Sequence, residues 1–164
     1  MGGLRDRDAH RLTDLLPRLD DWCSELVGSG IPDSVQHDDL HSANVCWVGT
    51  VRTARIIDWG DASWGFPLAT MLTTMNAAAF HAGLYVEGRR VDAPPVLRLR
   101  DAYLEPFTGS APRAELVHLV DLARRTGCVS KAQSYRATLL DAPLEDLAEL
   151  DFPVREWLSE LLAR

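Results

Sequence analysis

The chain reads as an α+β protein, predominantly helical, carrying one small β-hairpin. Two observations predict this. Apolar residues recur at helical spacing over most of the sequence, and two short strand-like runs flank Gly49-Thr50. At 164 residues the chain is long enough for a proper core, so a single domain over residues 1–164 is expected.

Taken in order, Leu12, Leu15, Leu16, Leu19, Trp22, Cys23 and Leu26 form the first helical stripe. Pro17 interrupts it, so the helix is expected to restart there with Asp14 as N-cap. Gly28-Ser29-Gly30-Ile31-Pro32 ends it. Val45-Cys46-Trp47-Val48 and Ala54-Arg55-Ile56-Ile57 are the hairpin strands, which would set Asn44 and Asp58 at neighbouring strand ends. After Trp64-Gly65-Phe66-Pro67 a helix is expected through roughly residues 68–85. A polar turn at Glu87-Gly88-Arg89-Arg90 precedes another near 96–107. Pro112 opens a helix with Leu116, Leu119, Val120 and Ala123 on one face, closed by Gly127. Further helices are expected at about 129–140 and 143–150. The last begins at Pro153, with Val154, Trp157, Leu158, Leu161 and Leu162 as its stripe.

Composition narrows the function. A net charge of −7 argues against a nucleic-acid partner. Cys23, Cys46 and Cys128 are odd in number and lack any C-x-x-C, which argues against a disulfide framework or zinc site and fits a reducing cytoplasm. The charged opening residues are no secretory signal, and no apolar run approaches a membrane span. A cytoplasmic protein without membrane partners is the expectation.

The most informative stretch is His37-Asp38-Asp39-Leu40-His41-Ser42-Ala43-Asn44, with Asp58 ending an apolar run fourteen residues after Asn44. Asp39 and Asn44 stand at the H-x-D-L-x-x-x-N spacing of a kinase catalytic loop. Phosphoryl transfer needs a group that orients and deprotonates a hydroxyl, and oxygen ligands that hold Mg²⁺ against nucleotide phosphates. Asp39 suits the first need; Asn44 and Asp58 suit the second.

Together with Ile57-Asp58-Trp59-Gly60-Asp61-Ala62 and Gly65-Phe66-Pro67, this stretch resembles the aminoglycoside phosphotransferase family, kinase-like enzymes acting on small molecules. The likeness is close from His37 to Pro67. It implies the C-terminal lobe of a kinase-like fold, with ATP or GTP as donor, Mg²⁺ as cofactor and a small-molecule hydroxyl as acceptor. Asp39 would be the catalytic base, Asn44 and Asp58 the metal ligands, and His37 the scaffold of the loop. His41 is expected to be a hydrogen-bonded loop residue, and Asp61 a supporting or substrate-facing one. Asp38 departs from the glycine common at its slot. Thr70 stands where the family often has an aspartate that braces the loop. Kinase lobes of this kind also use a phosphate-covering loop and a strand lysine, whereas the only lysine here is Lys131. The expectation is a C-terminal lobe without its nucleotide-lid lobe: either a fragment or truncated product, or a chain whose lid a separate chain supplies, with an uncovered face that predicts self-association.

Two other classes compete. A kinase-like remnant would act as a binding or scaffold domain without catalysis. A metal-dependent phosphohydrolase would need several further His and Asp ligands beside His37-Asp38 and His41. Trp47, Trp59 and Trp64 are read as core packing beside the hairpin in preference to an aromatic nucleotide platform, and His10, His81 and His118 as surface or satisfied residues.

Overall fold

The computed structural model describes residues 6–84, 91–140 and 152–163. They form helices α1 (Asp6–Gly28), α2 (Met71–His81), α3 (Pro94–Leu104), α4 (Arg113–Leu139) and α5 (Phe152–Leu162). The strands are β1 (Ser34–Gln36), β2 (Val45–Val48), β3 (Thr50–Ile56) and β4 (Ser63–Gly65). The protein is thus mostly helical, with two small antiparallel sheets, β1 with β4 and β2 with β3. It clusters into two compact units, Ser29–Ala123 and, together, Met1–Gly28 with Arg124–Arg164.

Two expected breaks do not occur. Helix α1 runs through Pro17, although proline costs about 3 kcal/mol in a helix interior by losing a backbone bond and crowding the preceding turn. Its apolar stripe outlasts the proline: Trp22 and Leu26 beyond it are buried. Asp14 is therefore an interior residue of α1 and caps nothing. Likewise α4 runs through Gly127 as one helix, at a cost of about 1 kcal/mol for the glycine. Cys128 and Ala132 continue its buried face past that point.

Other boundaries follow the sequence more closely. A 3-10 turn at Pro67–Thr70 leads into α2, which ends at His81 with Ala82 as its C-cap. Gly83 has φ +68, and the Leu84 and Gly83 N–H groups bond back to Ala79 and Phe80. This Schellman closure favours glycine, the residue least strained at positive φ. Helix α3 starts at Pro94 and continues into a 3-10 turn at Glu105–Phe107. The polar turn at Glu87–Arg90 and the helix expected at 143–150 lie outside the described residues.

Ser29–Ala123 has its own core. Leu68, Met71, Leu72, Met75 and Ala79 are buried around α2, with Val96 and Leu104 of α3 and Leu116, Leu119 and Val120 of α4. Each such leucine contributes about 1.5–3 kcal/mol on leaving water. The polar segment from Gln36 to Asn44 sits in this unit. In the other unit Trp22, Leu26, Cys128, Ala132 and Leu161 are buried, and the Arg11 guanidinium donates to the Leu162 carbonyl at 2.9 Å. Arg124 and Glu160, 4% and 10% exposed, form an ion pair at 4.0 Å.

The expected hairpin is present: Val45 pairs with Ile56 and Cys46 with Arg55, with an irregularity between Cys46 and Val48. Gly49 at its tip has φ +82, which selects glycine. The β1–β4 ladder, pairing Val35 with Trp64, has no anticipated counterpart. Expected core packing of the tryptophans is not found: Trp47, Trp59 and Trp64 are 61%, 47% and 71% exposed. Both sheets are two-stranded, too narrow to cover such rings on either face.

Candidate active site

The segment after β1 makes a tight turn. The Asp39 N–H donates to the His37 carbonyl at 2.8 Å, closing a three-residue loop around Asp38, whose φ is +60. Left-handed backbone is costly for a side-chain-bearing residue, and aspartate is among those that tolerate it best. This accounts for the glycine that relatives of the motif use at the slot. Asp38 and Asp58 (φ 62, ψ 58) are the non-glycine residues at positive φ among those described. Both border the candidate site, where such strain tends to concentrate.

Asp39, His41 and Asn44 are brought together. His41 Nδ1 accepts the Ala43 N–H at 3.2 Å, capping the 3-10 turn Ser42–Asn44. That role leaves the ring proton on Nε2, which lies 3.3 Å from Asp39 Oδ2. The buried Asn44 amide donates to the Asp39 carbonyl at 2.9 Å and approaches Asp39 Oδ2 at 3.5 Å. Asn44 Oδ1 takes no hydrogen bond among the described residues.

Asp58 enters through the hairpin. The Ile57 N–H donates to the Asn44 carbonyl at 3.0 Å, extending the ladder beyond Val45–Ile56. Asp58 is the next residue, exposed, and makes no capping bond. His37, 4% exposed, ties the two segments: its Nε2 lies 2.7 Å from the Ile57 carbonyl. Only a proton on Nε2 makes that contact favourable, which leaves Nδ1 buried without a hydrogen-bond partner. The Trp59 ring packs on His37 at 4.9 Å and anchors through Nε1 to the Ile56 carbonyl at 3.0 Å. Asp61 stands exposed at the end of the 3-10 turn Trp59–Asp61 and is not drawn to the other residues.

Three residues that brace the site carry no motif. The Thr73 hydroxyl donates to the Asp38 carbonyl at 3.0 Å. Thr74 Oγ1 lies 2.9 Å from the Leu40 carbonyl and 3.0 Å from that of Thr70, one proton shared between two acceptors. The Tyr103 hydroxyl donates to the Pro67 carbonyl at 2.8 Å, and burial pushes that phenol above its ordinary pKa. Thr70 itself is buried; its carbonyl accepts from the Thr74 hydroxyl, and its own hydroxyl makes no hydrogen bond among the described residues. The loop contact expected of an aspartate at position 70 is thus made from the next turn of α2.

Asn44 Oδ1 and the Asp58 carboxylate are hard oxygen donors of the kind Mg²⁺ takes. Among the described residues no three His, Cys, Asp or Glu side chains converge to hold a metal. A divalent ion here would draw its remaining oxygens from phosphates and water, the habit of Mg²⁺. Residues 2–116 match the profile of the phosphotransferase enzyme family. The chain belongs to that family. The match spans α1, both sheets, α2 and α3 and stops early in α4, so family membership includes every residue of the site. No curated protein and no solved structure matches the chain. Among the described residues, no helix is long and apolar enough to cross a membrane.

Proposed function

We propose that this chain is the catalytic lobe of an ATP- or GTP-dependent phosphotransferase that moves a γ-phosphoryl group to a small-molecule hydroxyl. The observation that carries this reading is the double use of Asn44. Its amide N–H fixes Asp39, and its backbone carbonyl fixes Ile57 beside Asp58. One residue therefore sets the spacing of a base and two metal-binding oxygens.

In this reading Asp39 takes the proton of the acceptor hydroxyl as its oxygen bonds to the γ-phosphorus and the bond to the β-phosphate oxygen breaks. His41 holds Oδ2 of Asp39, which leaves Oδ1 to take the proton. Mg²⁺ held by Asn44 Oδ1 and Asp58 would supply neutralisation of the phosphate charge. Asp61, exposed on the neighbouring turn, is assigned to the acceptor side.

The test is transfer of labelled γ-phosphate from Mg·ATP or Mg·GTP to a panel of amino alcohols, sugars and aminoglycosides. Asp39→Asn is expected to lower the rate about 10²–10⁴-fold while nucleotide binding persists. Undiminished transfer in that variant refutes the base assignment. A second reading, a non-catalytic kinase-like binding domain, is favoured by one fact: Lys131, the only lysine, lies outside Ser29–Ala123. Calorimetry with Mg·ATP separates the two, since micromolar binding by this chain counts against the second.

A further inference from the structure

Within the unit formed by residues 1–28 and 124–164, α1, α4 and α5 line an open cleft of about 420 Å³. Its volume falls in the range of small-ligand sites. The lining is unusual for an acidic chain. Arg11, Arg18 and Arg125 contribute three positive charges, against Asp14 in the lining and Asp8, 3.5 Å from Arg11, so the cleft keeps a positive excess in a chain of net charge −7. The floor is apolar, with Trp22 and Leu161 buried.

Two of the guanidinium groups are held in place by the indole. Arg18, one helical turn before Trp22 on α1, lies 5.2 Å from the ring centroid, and Arg125 of α4 lies 5.4 Å from it. Cation–π contact restrains a long side chain before any ligand arrives. The Arg18 fork has no hydrogen-bond acceptor among the described residues, and neither has the Trp22 N–H, although that residue is only 8% exposed. Arg11 is partly committed, to the Leu162 carbonyl and loosely to Asp8.

We propose that this cleft binds a small phosphomonoester. The positive excess attracts a phosphate dianion, a planar guanidinium fork meets two phosphate oxygens at once, and the apolar floor takes the organic body. The cleft shares no lining residue with Asp39, Asn44 and Asp58, and its binding does not depend on phosphoryl transfer by them.

Phenyl phosphate is the probe, titrated into ¹⁵N-labelled full chain while the Trp22 indole N–H resonance is followed. Trp22→Phe assigns the signal. A saturable shift with Kd of about a millimolar or tighter is expected. Arg18→Gln should weaken binding at least tenfold, and Arg18→Lys, which keeps the charge but not the fork, by less. Both replacements sit at an exposed position and leave the fold intact. Absence of saturation, unchanged affinity in Arg18→Gln, or equal affinity for benzoate would each overturn the proposal. Asp39→Asn should titrate as the parent does, so failure here is distinct from failure of the catalytic reading.

Discussion

Asp38 and Asp58 occupy almost the same left-handed backbone, with φ 60 and φ 62, but their surroundings differ. Around Asp38 the loop is tied on every side: to α2 through Thr73 and Thr74, and internally through His41 and Asn44. After Asp58 the residues Trp59, Gly60 and Asp61 are exposed, and the turn hangs on the Ile57 N–H, the Trp59 indole and His37. The difference teaches where strain is tolerated. On the proposed reading the contrast has a reason: a base at Asp39 would have to hold one position relative to a hydroxyl, which an over-determined loop provides, whereas a carboxylate at Asp58 that met an ion and phosphates would need less support from the protein.

His37, like Asn44, serves both halves, and as a buried ring its loss should have the largest effect on stability. His37→Ala removes a buried ring and the bond to Ile57, and should cost about 2–4 kcal/mol in urea unfolding. Hydrogen exchange should then quicken at the Asp39 and Ile57 amides alike. Thr74→Val acts on one half only. It leaves the Leu40 carbonyl without its hydroxyl and should cost about 1–3 kcal/mol, quickening exchange at Asp39 and not at Ile57. Equal loosening of both amides would break the comparison.

A smaller effect of opposite sign is expected at the strained turn. Asp38→Gly relieves positive φ and should stabilise by up to about 1 kcal/mol. A loss of stability would mean that the Asp38 side chain, and not its backbone alone, holds the loop. The smallest effect lies outside both halves. The Arg100 side chain, bonded to Asp101 at 2.7 Å, holds that carboxyl below its ordinary pKa, with help from Arg113. A lowered folded-state pKa contributes stability above the unfolded value and loses it as pH falls through the folded one. Asp101→Asn should therefore lower the urea midpoint slightly at neutral pH, and the difference from the parent should vanish in acid.

Much of this was legible in the sequence because it rests on short-range chemistry. The hairpin, its glycine tip and the adjacency of Asn44 and Asp58 follow from strand pattern and turn residues. The family was readable from residues 37–67, and the family match over 2–116 agrees. What escaped depends on partners distant along the chain. Thr73 and Thr74 look like ordinary helix residues until their hydroxyls meet carbonyls more than thirty positions away. The β1–β4 ladder joins three-residue strands, too short for period-2 alternation to register. Pro17 and Gly127 misled because local breaker rules were overridden by buried stripes running past them. The tryptophans misled because large rings were assigned to a core that two-stranded sheets do not provide.

The Val45–Ile56 pairing has one more consequence. Because the distance between the two motifs in space is set at the open end of β2 and β3, the number of residues looping out beyond Gly49 is free to change. Insertions at the tip in multiples that preserve strand register should leave the placement of both motifs untouched, which makes it a natural place to graft a tag, a reporter or an added recognition element. A single residue inserted instead between Asn44 and Val45 would turn alternate side chains to the opposite face and part the two motifs without altering any of their residues.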